Sequence, residues 1–120
     1  MDGGAAMGHY HDIARELSQS ARDLRVHIPG VYEGFSQMNR SALEDGALPK
    51  RVKELIALAV STTQQCDGCI ASHARRAAAA GASPAEVAEA LGVVILLTGG
   101  PGTVYGPRAW DAFVEFSKVD

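Results

Sequence analysis

The residues best suited to do chemistry lie between Glu54 and His73, in the stretch ELIALAVSTTQQCDGCIASH. It holds both cysteines of the chain, Cys66 and Cys69, with His73 four residues after the second and Glu54 twelve residues before the first. Zinc would want four ligands, most often as two paired clusters. Here a single Cys-x-x-Cys has one close histidine, and His9, His11 and His27 lie far upstream without a second paired spacing. A thioredoxin-type centre would follow a strand in a βαβ setting, whereas the residues before Cys66 repeat with a helical period. Two inert core cysteines are the plain alternative, since free cysteine is commonly buried. The chemistry that uses every residue of the group is dithiol redox. A thiolate attacks a peroxide oxygen to give a sulfenic acid, the neighbouring thiol condenses with it to a disulfide, and an external reductant resets the pair. The histidine supplies the proton traffic. Such a cycle keeps its electrons in sulfur and calls for neither a cofactor nor a metal.

The group has to be positioned by helices. At 100° per residue, Cys66, Cys69, Ile70, His73, Ala77 and Ala80 share one face, the side that leans towards the core, and Asp67, Gly68, Ser72, Arg75 and Arg76 share the other. Cys69 and His73 are neighbours one turn apart. Cys66 falls at the helix start, where unpaired N–H groups and the positive end of the helix dipole favour a thiolate. Glu54 is less clear. On the wheel of its own helix it falls with Lys53, Ser61, Gln64 and Gln65, which reads as a solvated carboxylate. Its spacing offers a second reading. If the chain reverses near Gln65, Glu54 stands eleven residues before the turn and His73 eight after it. The axial offset is then three residues, roughly 4.5 Å, within a glutamate's reach. Cys69 is out of level with Glu54 by roughly 10 Å, so the layout is a relay in which Glu54 orients His73 and His73 faces Cys69.

Around this centre the chain reads as successive helices. His11 to His27 carries Ile13, Leu17, Ala21 and Leu24 at helical spacing and is broken by Pro29–Gly30. Val31, Phe35 and Met38 mark a second helix, and Ser41-Ala-Leu-Glu44 has the form of a capping box for a further short one. Pro49 stands where a helix begins. Val52, Leu55, Ile56, Ala59, Val60 and Thr63 give the next helix a wide apolar face running to about Gln64. The cysteine helix ends at Gly81, a left-handed cap. Ser83-Pro-Ala-Glu86 starts another, which runs to the breaker Thr98-Gly-Gly-Pro-Gly102. A last helix covers Val104 to Phe116. Strand alternation bounded by hairpin dipeptides is missing, so the expected fold is all-α, with residues 1–8 a loose tail and 9–120 one helical domain.

Bulk composition bounds the function. A 120-residue chain supports one core. Its 47% apolar and 21% charged residues are ordinary for a globular protein. A net charge of −3 and a pI near 5.7 give no electrostatic case for nucleic acid or an anionic membrane. The longest apolar run, Val93 to Leu97, is too short to span a bilayer, and MDGGAAMGHYHD lacks the features of a secretory signal. The expected location is the cytoplasm, where a lone cysteine pair is more often catalytic or metal-binding than structural.

Glu54-x11-Cys66-x2-Cys69-x3-His73 resembles the signature of the AhpD-like alkylhydroperoxidases, part of the carboxymuconolactone decarboxylase family. The flanking segments LPKRVKELIALAVS, GASPAEVAEAL and GGPGTVYGPRAWDAFVEF agree with it, so the resemblance covers roughly residues 30 to 118. It implies an all-helical, single-repeat subunit of about six helices, assembled into trimers or hexamers. It also implies a thiol peroxidase that acts on hydroperoxides with an external dithiol reductant. By motif position Cys69 would be the peroxide-attacking thiol, Cys66 the resolving one, and Glu54 with His73 the proton relay. The best-studied members have a histidine just before the second cysteine; here that residue is Gly68. The runner-up activity is the lactone-acid decarboxylase of the family name, whose branch does not rely on a cysteine pair. A non-catalytic helical assembly or redox sensor is a third reading.

Other residues invite attention. His9 and His11 have the look of a metal pair but read more simply as part of a disordered tail, and His27 as a loop residue. Arg75 and Arg76 read as a solvated face or subunit contact. Trp110, Phe113 and Phe116 read as core or interface, with the alternative of roofing a pocket, and Tyr105 could lend a hydroxyl to a neighbouring site. Helix stripes this apolar on so small a chain favour association of subunits.

Overall fold

The structure, a computed structural model, describes residues 8–119. The tail expected over residues 1–8 lies, Gly8 apart, outside the described residues. Six helices follow in order: α1 (His9–Arg25), α2 (Pro29–Leu43), α3 (Lys50–Thr63), α4 (Asp67–Ala79), α5 (Pro84–Thr98) and α6 (Gly100–Val119). No strand occurs among the described residues, and the all-α bundle of about six helices expected from the sequence is the one observed.

Local chemistry sets most of the boundaries. The Ser83 hydroxyl accepts the Glu86 N–H at 3.1 Å while the Glu86 carboxylate accepts the Ser83 N–H at 2.9 Å, and Pro84 opens α5. Gly81 takes φ +91° to turn the chain out of α4, which an L side chain would resist. Helices α3 to α6 pack around Leu58, Ile70, Val87, Phe113 and Phe116. The core faces of α4 and α6 are otherwise alanine, at Ala71, Ala74, Ala77, Ala109 and Ala112, so the helices approach closely and the two phenylalanines fill the space between them. Each such ring contributes about 1.5–3 kcal/mol by leaving water.

Four details differ from the sequence reading. Helix α1 starts at His9, and His11 is buried, so the histidines do not belong to a loose tail. Glu115 is the cause: its carboxylate accepts the backbone N–H of Tyr10 at 3.2 Å and of His11 at 2.7 Å and pairs with His11 Nδ1, capping α1 from the far end of the chain. Ser41 to Glu44 start no helix, because α2 runs on to Leu43 and ends where Glu44 turns extended. The buried face of α3 is Glu54, Leu58, Ser61 and Thr62, while Ile56 and Val60 on the expected apolar face are half exposed. Ser61 and Thr62 tolerate burial by donating to the carbonyls of Ala57 and Leu58, each at 2.7 Å. Lastly, α6 begins at Gly100, so only Gly99 (φ +68°) separates it from α5. A Cβ at Gly102 would fall 2.8 Å from the Ile95 Cα, so glycine lets the first turn of α6 lie against the end of α5.

Helix α2 stands apart. None of its residues is buried, it packs only lightly on α3, and Val31, Phe35 and Met38 form a stripe in which Phe35 is 59% exposed.

Candidate active site

The site forms where α3 and α4 run antiparallel across a tight reversal. Gln65 takes φ 56°, the left-handed conformation, and the Cys66 N–H bonds back to the Ser61 carbonyl at 3.2 Å. Cys66 is extended and serves as N-cap of α4. Its sulfur accepts the backbone N–H of Cys69 at 3.2 Å, one of the donors the first turn leaves open. Cys66 and Cys69 are joined in a disulfide with a Cα–Cα distance of 5.2 Å. The two residues differ in access: Cys69 is exposed and Cys66 half-buried.

Glu54 is not solvated. It is 0% exposed and its Oε1 lies 2.8 Å from His73 Nδ1. The offset of three residues worked from the spacing is close enough for this contact, and the wheel failed because α4 covers the polar side of α3. A carboxylate has only lone pairs to offer, so the imidazole donates from Nδ1 and Nε2 is left as the basic nitrogen. Glu54 Oε2 is buried with no hydrogen-bond partner among the described residues, so the whole carboxylate is held for the histidine on one oxygen.

The cysteines do not line the buried side of α4 as the wheel suggested. That side is Ile70, Ala71, Ala74 and Ala77, and the row Cys66, Cys69, His73 runs along its edge, with His73 about one-fifth exposed. This edge position leaves the sulfurs open to small molecules while the carboxylate behind His73 stays dry.

Two contacts near the cysteines were not legible in the sequence. The Tyr10 hydroxyl donates to Asp67 Oδ1 at 3.4 Å, tying α1 to the first turn of α4. Burial, followed by the Asp67 charge, pushes the Tyr10 hydroxyl up to about 12. At Gly68 a Cβ would fall 2.5 Å from Leu17 Cδ1, so α1 fills the space a larger residue would need. Neither follows from local spacing, since Tyr10 and Asp67 are far apart in the chain. Of the other candidates, Phe113 and Phe116 are core, Trp110 packs half-buried against them, and Tyr105 lies under Arg108 at 5.0 Å. Arg75 stacks on Phe116 at 5.5 Å, Arg76 donates to Asn39 Oδ1 at 3.1 Å, and His27 sits exposed in the α1–α2 connection. Among the described residues no group of three or more His, Cys, Asp or Glu is placed to hold a metal ion, and no helix is long and apolar enough to cross a membrane.

Residues 29–113 match the model of the carboxymuconolactone decarboxylase family. The chain is similar to the apo form of a carboxymuconolactone decarboxylase family protein from Legionella pneumophila. The likeness has a TM-score of 0.87 at 36% identity and covers 90% of this chain and 96% of that one. A Thermotoga maritima protein superposes with a TM-score of 0.73 at 26% identity, over 87% of this chain and 95% of the other. An uncharacterized protein of Cupriavidus necator is 37% identical over 94 residues, 78% of this chain and 83% of the relative.

Proposed function

The chain belongs to the carboxymuconolactone decarboxylase family, and we propose that within it the protein is a thiol-dependent peroxidase that reduces hydroperoxides through a Cys66–Cys69 cycle. The observation that carries this reading is an accessible vicinal disulfide beside a histidine held by a fully buried carboxylate. Inert core cysteines would need neither the exposure nor the histidine.

In the cycle, His73 Nε2 takes the Cys69 thiol proton, and the Cys69 thiolate attacks the outer oxygen of R–O–O–H. An S–O bond forms, the O–O bond breaks, and the departing alkoxide takes a proton from His73 to leave as the alcohol. The Cys66 thiolate then attacks the sulfenic sulfur, the S–S bond forms, and hydroxide leaves as water with a second proton. The peroxide has gained two electrons and the cysteine pair has lost them. An external dithiol restores the pair by attacking Cys69, the exposed sulfur, and expelling Cys66 as thiolate. The Cys69 N–H and the start of α4 stabilise that leaving group. The reductant's second thiol then releases Cys69 and closes the reductant's own disulfide.

We also propose that the subunit works as a homotrimer or homohexamer. The support is α2, none of whose residues is fully buried in its own chain; an isolated helix of 15 residues is marginal in water. Its Val31, Phe35 and Met38 stripe, with Leu96 and Leu97 of α5 also exposed, is surface that a second copy would cover.

The test is a thiol titration before and after addition of an organic hydroperoxide, with turnover measured under excess dithiol. Wild type should lose both thiols and consume many equivalents. Cys66→Ser should stall as sulfenic acid and Cys69→Ser should be inert. Equal reactivity of the two variants would overturn the roles, consumption of a single equivalent would mark a redox sensor, and lactone-acid decarboxylation that survives Cys69→Ser would mark the decarboxylase.

A further inference from the structure

A cavity beside the far end of α4 plays no part in the cycle above. It is about 570 Å³, opens between α2 and α4, and is walled by Arg40 of α2, Lys50 of α3 and Arg76 of α4, with Ser36, Asn39 and Leu43 completing the α2 side. No carboxylate lines it. Among the described residues the side chains of Arg40 and Lys50 have no ion-pair partner, and Arg76 bonds only the neutral amide of Asn39, at 3.1 Å. Three cations therefore line one cavity in a chain of net charge −3; the Asp45 carboxylate beside them accepts the Lys50 backbone N–H at 2.6 Å and, among the described residues, forms no ion pair with any of the three side chains. Cations brought together this way repel one another unless something negative enters between them.

The position relative to the sulfurs is what gives the cavity meaning. Lys50 is one turn before Glu54 on α3. Arg76, expected on the face opposite the cysteines, is seven residues beyond Cys69 and so falls almost in line with it, extending the row Cys69, His73 along the edge of α4. From Cys69 to Arg76 is seven residues, or roughly 10 Å along the helix axis. We propose that this cavity is a carboxylate-binding subsite, and that the substrate is a medium-chain hydroperoxide with a carboxylate at one end. The head is held by Arg40, Lys50 and Arg76, and the peroxide end reaches Cys69. Guanidinium groups suit the flat, two-oxygen head, and the carbon chain spans the edge of α4 past His73. The substrate half of this inference rests on the peroxidase reading; the binding half does not.

The experiment measures binding of octanoate, 1-octanol and inorganic phosphate to the oxidised protein by calorimetry at two salt concentrations, on wild type and on Arg40→Gln, Lys50→Gln and Arg76→Gln. Octanoate should bind more tightly than phosphate, octanol at least tenfold more weakly, and affinity should fall with salt. Each variant should lose about three- to tenfold, between the effect of an exposed ion pair and that of a charge-assisted hydrogen bond. In each variant kcat/KM for a hydroperoxy octanoic acid should fall through KM, by at least threefold more than kcat/KM for cumene hydroperoxide, which has no carboxylate. Octanol or phosphate binding as tightly as octanoate, or variants that bind octanoate like wild type, would overturn the subsite. Octanoate binding as described in a protein that consumes neither hydroperoxide would uphold the subsite and sink the peroxidase reading instead.

Discussion

Replacing Glu54 by glutamine separates catalysis from folding at this site. The carboxylate is fully buried, accepts from His73 Nδ1 at 2.8 Å on one oxygen, and leaves the other without a hydrogen-bond partner among the described residues. Glutamine keeps the shape and can still accept the Nδ1–H, so a charge-assisted bond of about 1.5–3 kcal/mol becomes a neutral one of about 0.5–1.5 kcal/mol. The new NH₂ takes the place of the unpartnered oxygen and costs about 1–3 kcal/mol as an unsatisfied donor. Against both stands relief from burying a charge, worth several kcal/mol before pairing is counted. The terms nearly cancel, so stability to urea should change by less than about 2 kcal/mol. Catalysis has no such offset. Without the anion behind it the imidazole no longer supports the charge it carries between proton uptake and release, and general acid–base catalysis contributes about 10²- to 10⁴-fold. The rate of thiol oxidation by hydroperoxide, followed by stopped flow on the fully reduced protein, should drop by about 10²-fold. A Glu54→Gln protein that folds and reacts within threefold of wild type would refute the relay. Glu54→Asp is the companion: it keeps the charge, withdraws it by one methylene, and should also be slow.

Tyr10→Phe should change the pH dependence of stability. The Tyr10 hydroxyl is raised from 10.0 to about 12 in the fold. Below pH 10 both states hold the proton and its contribution is fully present; between pH 10 and 12 the unfolded chain ionises first, and wild type loses roughly 2–3 kcal/mol that the phenylalanine variant keeps. Urea curves for the two proteins that stay parallel from pH 8 to 11.5 would contradict this. At Gly68, alanine gains up to about 1 kcal/mol of helix propensity but pushes on Leu17 Cδ1 at 2.5 Å. Leu17 is half exposed and can swing, so the net change should be under about 0.5 kcal/mol. In a Leu17→Ala background the same substitution should stabilise by about 0.5–1 kcal/mol, and a double-mutant cycle without coupling would show that the contact is absent. Phe35→Glu places a charge in the α2 stripe and should lower the sedimenting mass without changing helicity; an unchanged mass would remove α2 from the interface.

How much of this was legible depended on whether the determinant was local. The Ser83–Glu86 box, the Gly81 reversal and the level of Glu54 with His73 all follow from residues within a turn or two of one another, or from one hairpin of helices, and the structure has each of them. The wheel of α3 misled because it ranks faces by polarity, while burial is decided by which face α4 covers. Glu54 is tolerated there by His73, and Ser61 and Thr62 by their own carbonyls. His11 was misplaced for the same reason, since Glu115, 104 positions along the chain, is what makes its burial possible. The breaker before α6 was drawn too long because glycine and proline also suit a first helical turn that must press against its neighbour.

The same distinction separates what α3 and α1 do for the site. Helix α3 anchors His73 through Glu54, and it lies inside the segment, residues 29–113, that matches the family model. Helix α1 lies outside that segment, yet it presses on the helix start that presents the sulfurs: Tyr10 holds Asp67, the first residue of α4, and Leu17 lies over Gly68. The site therefore has a carboxylate–histidine pair carried by helices within the matched segment and a sulfur-bearing turn steadied by a helix outside it. Because Cys66 is itself the cap of α4, opening the disulfide changes what the sulfur can accept at the very turn α1 supports. The proposed cycle between dithiol and disulfide would run on a fixed frame, since Glu115 clamps the start of α1 to α6 and Tyr10 and Leu17 carry that clamp to the turn between the two cysteines.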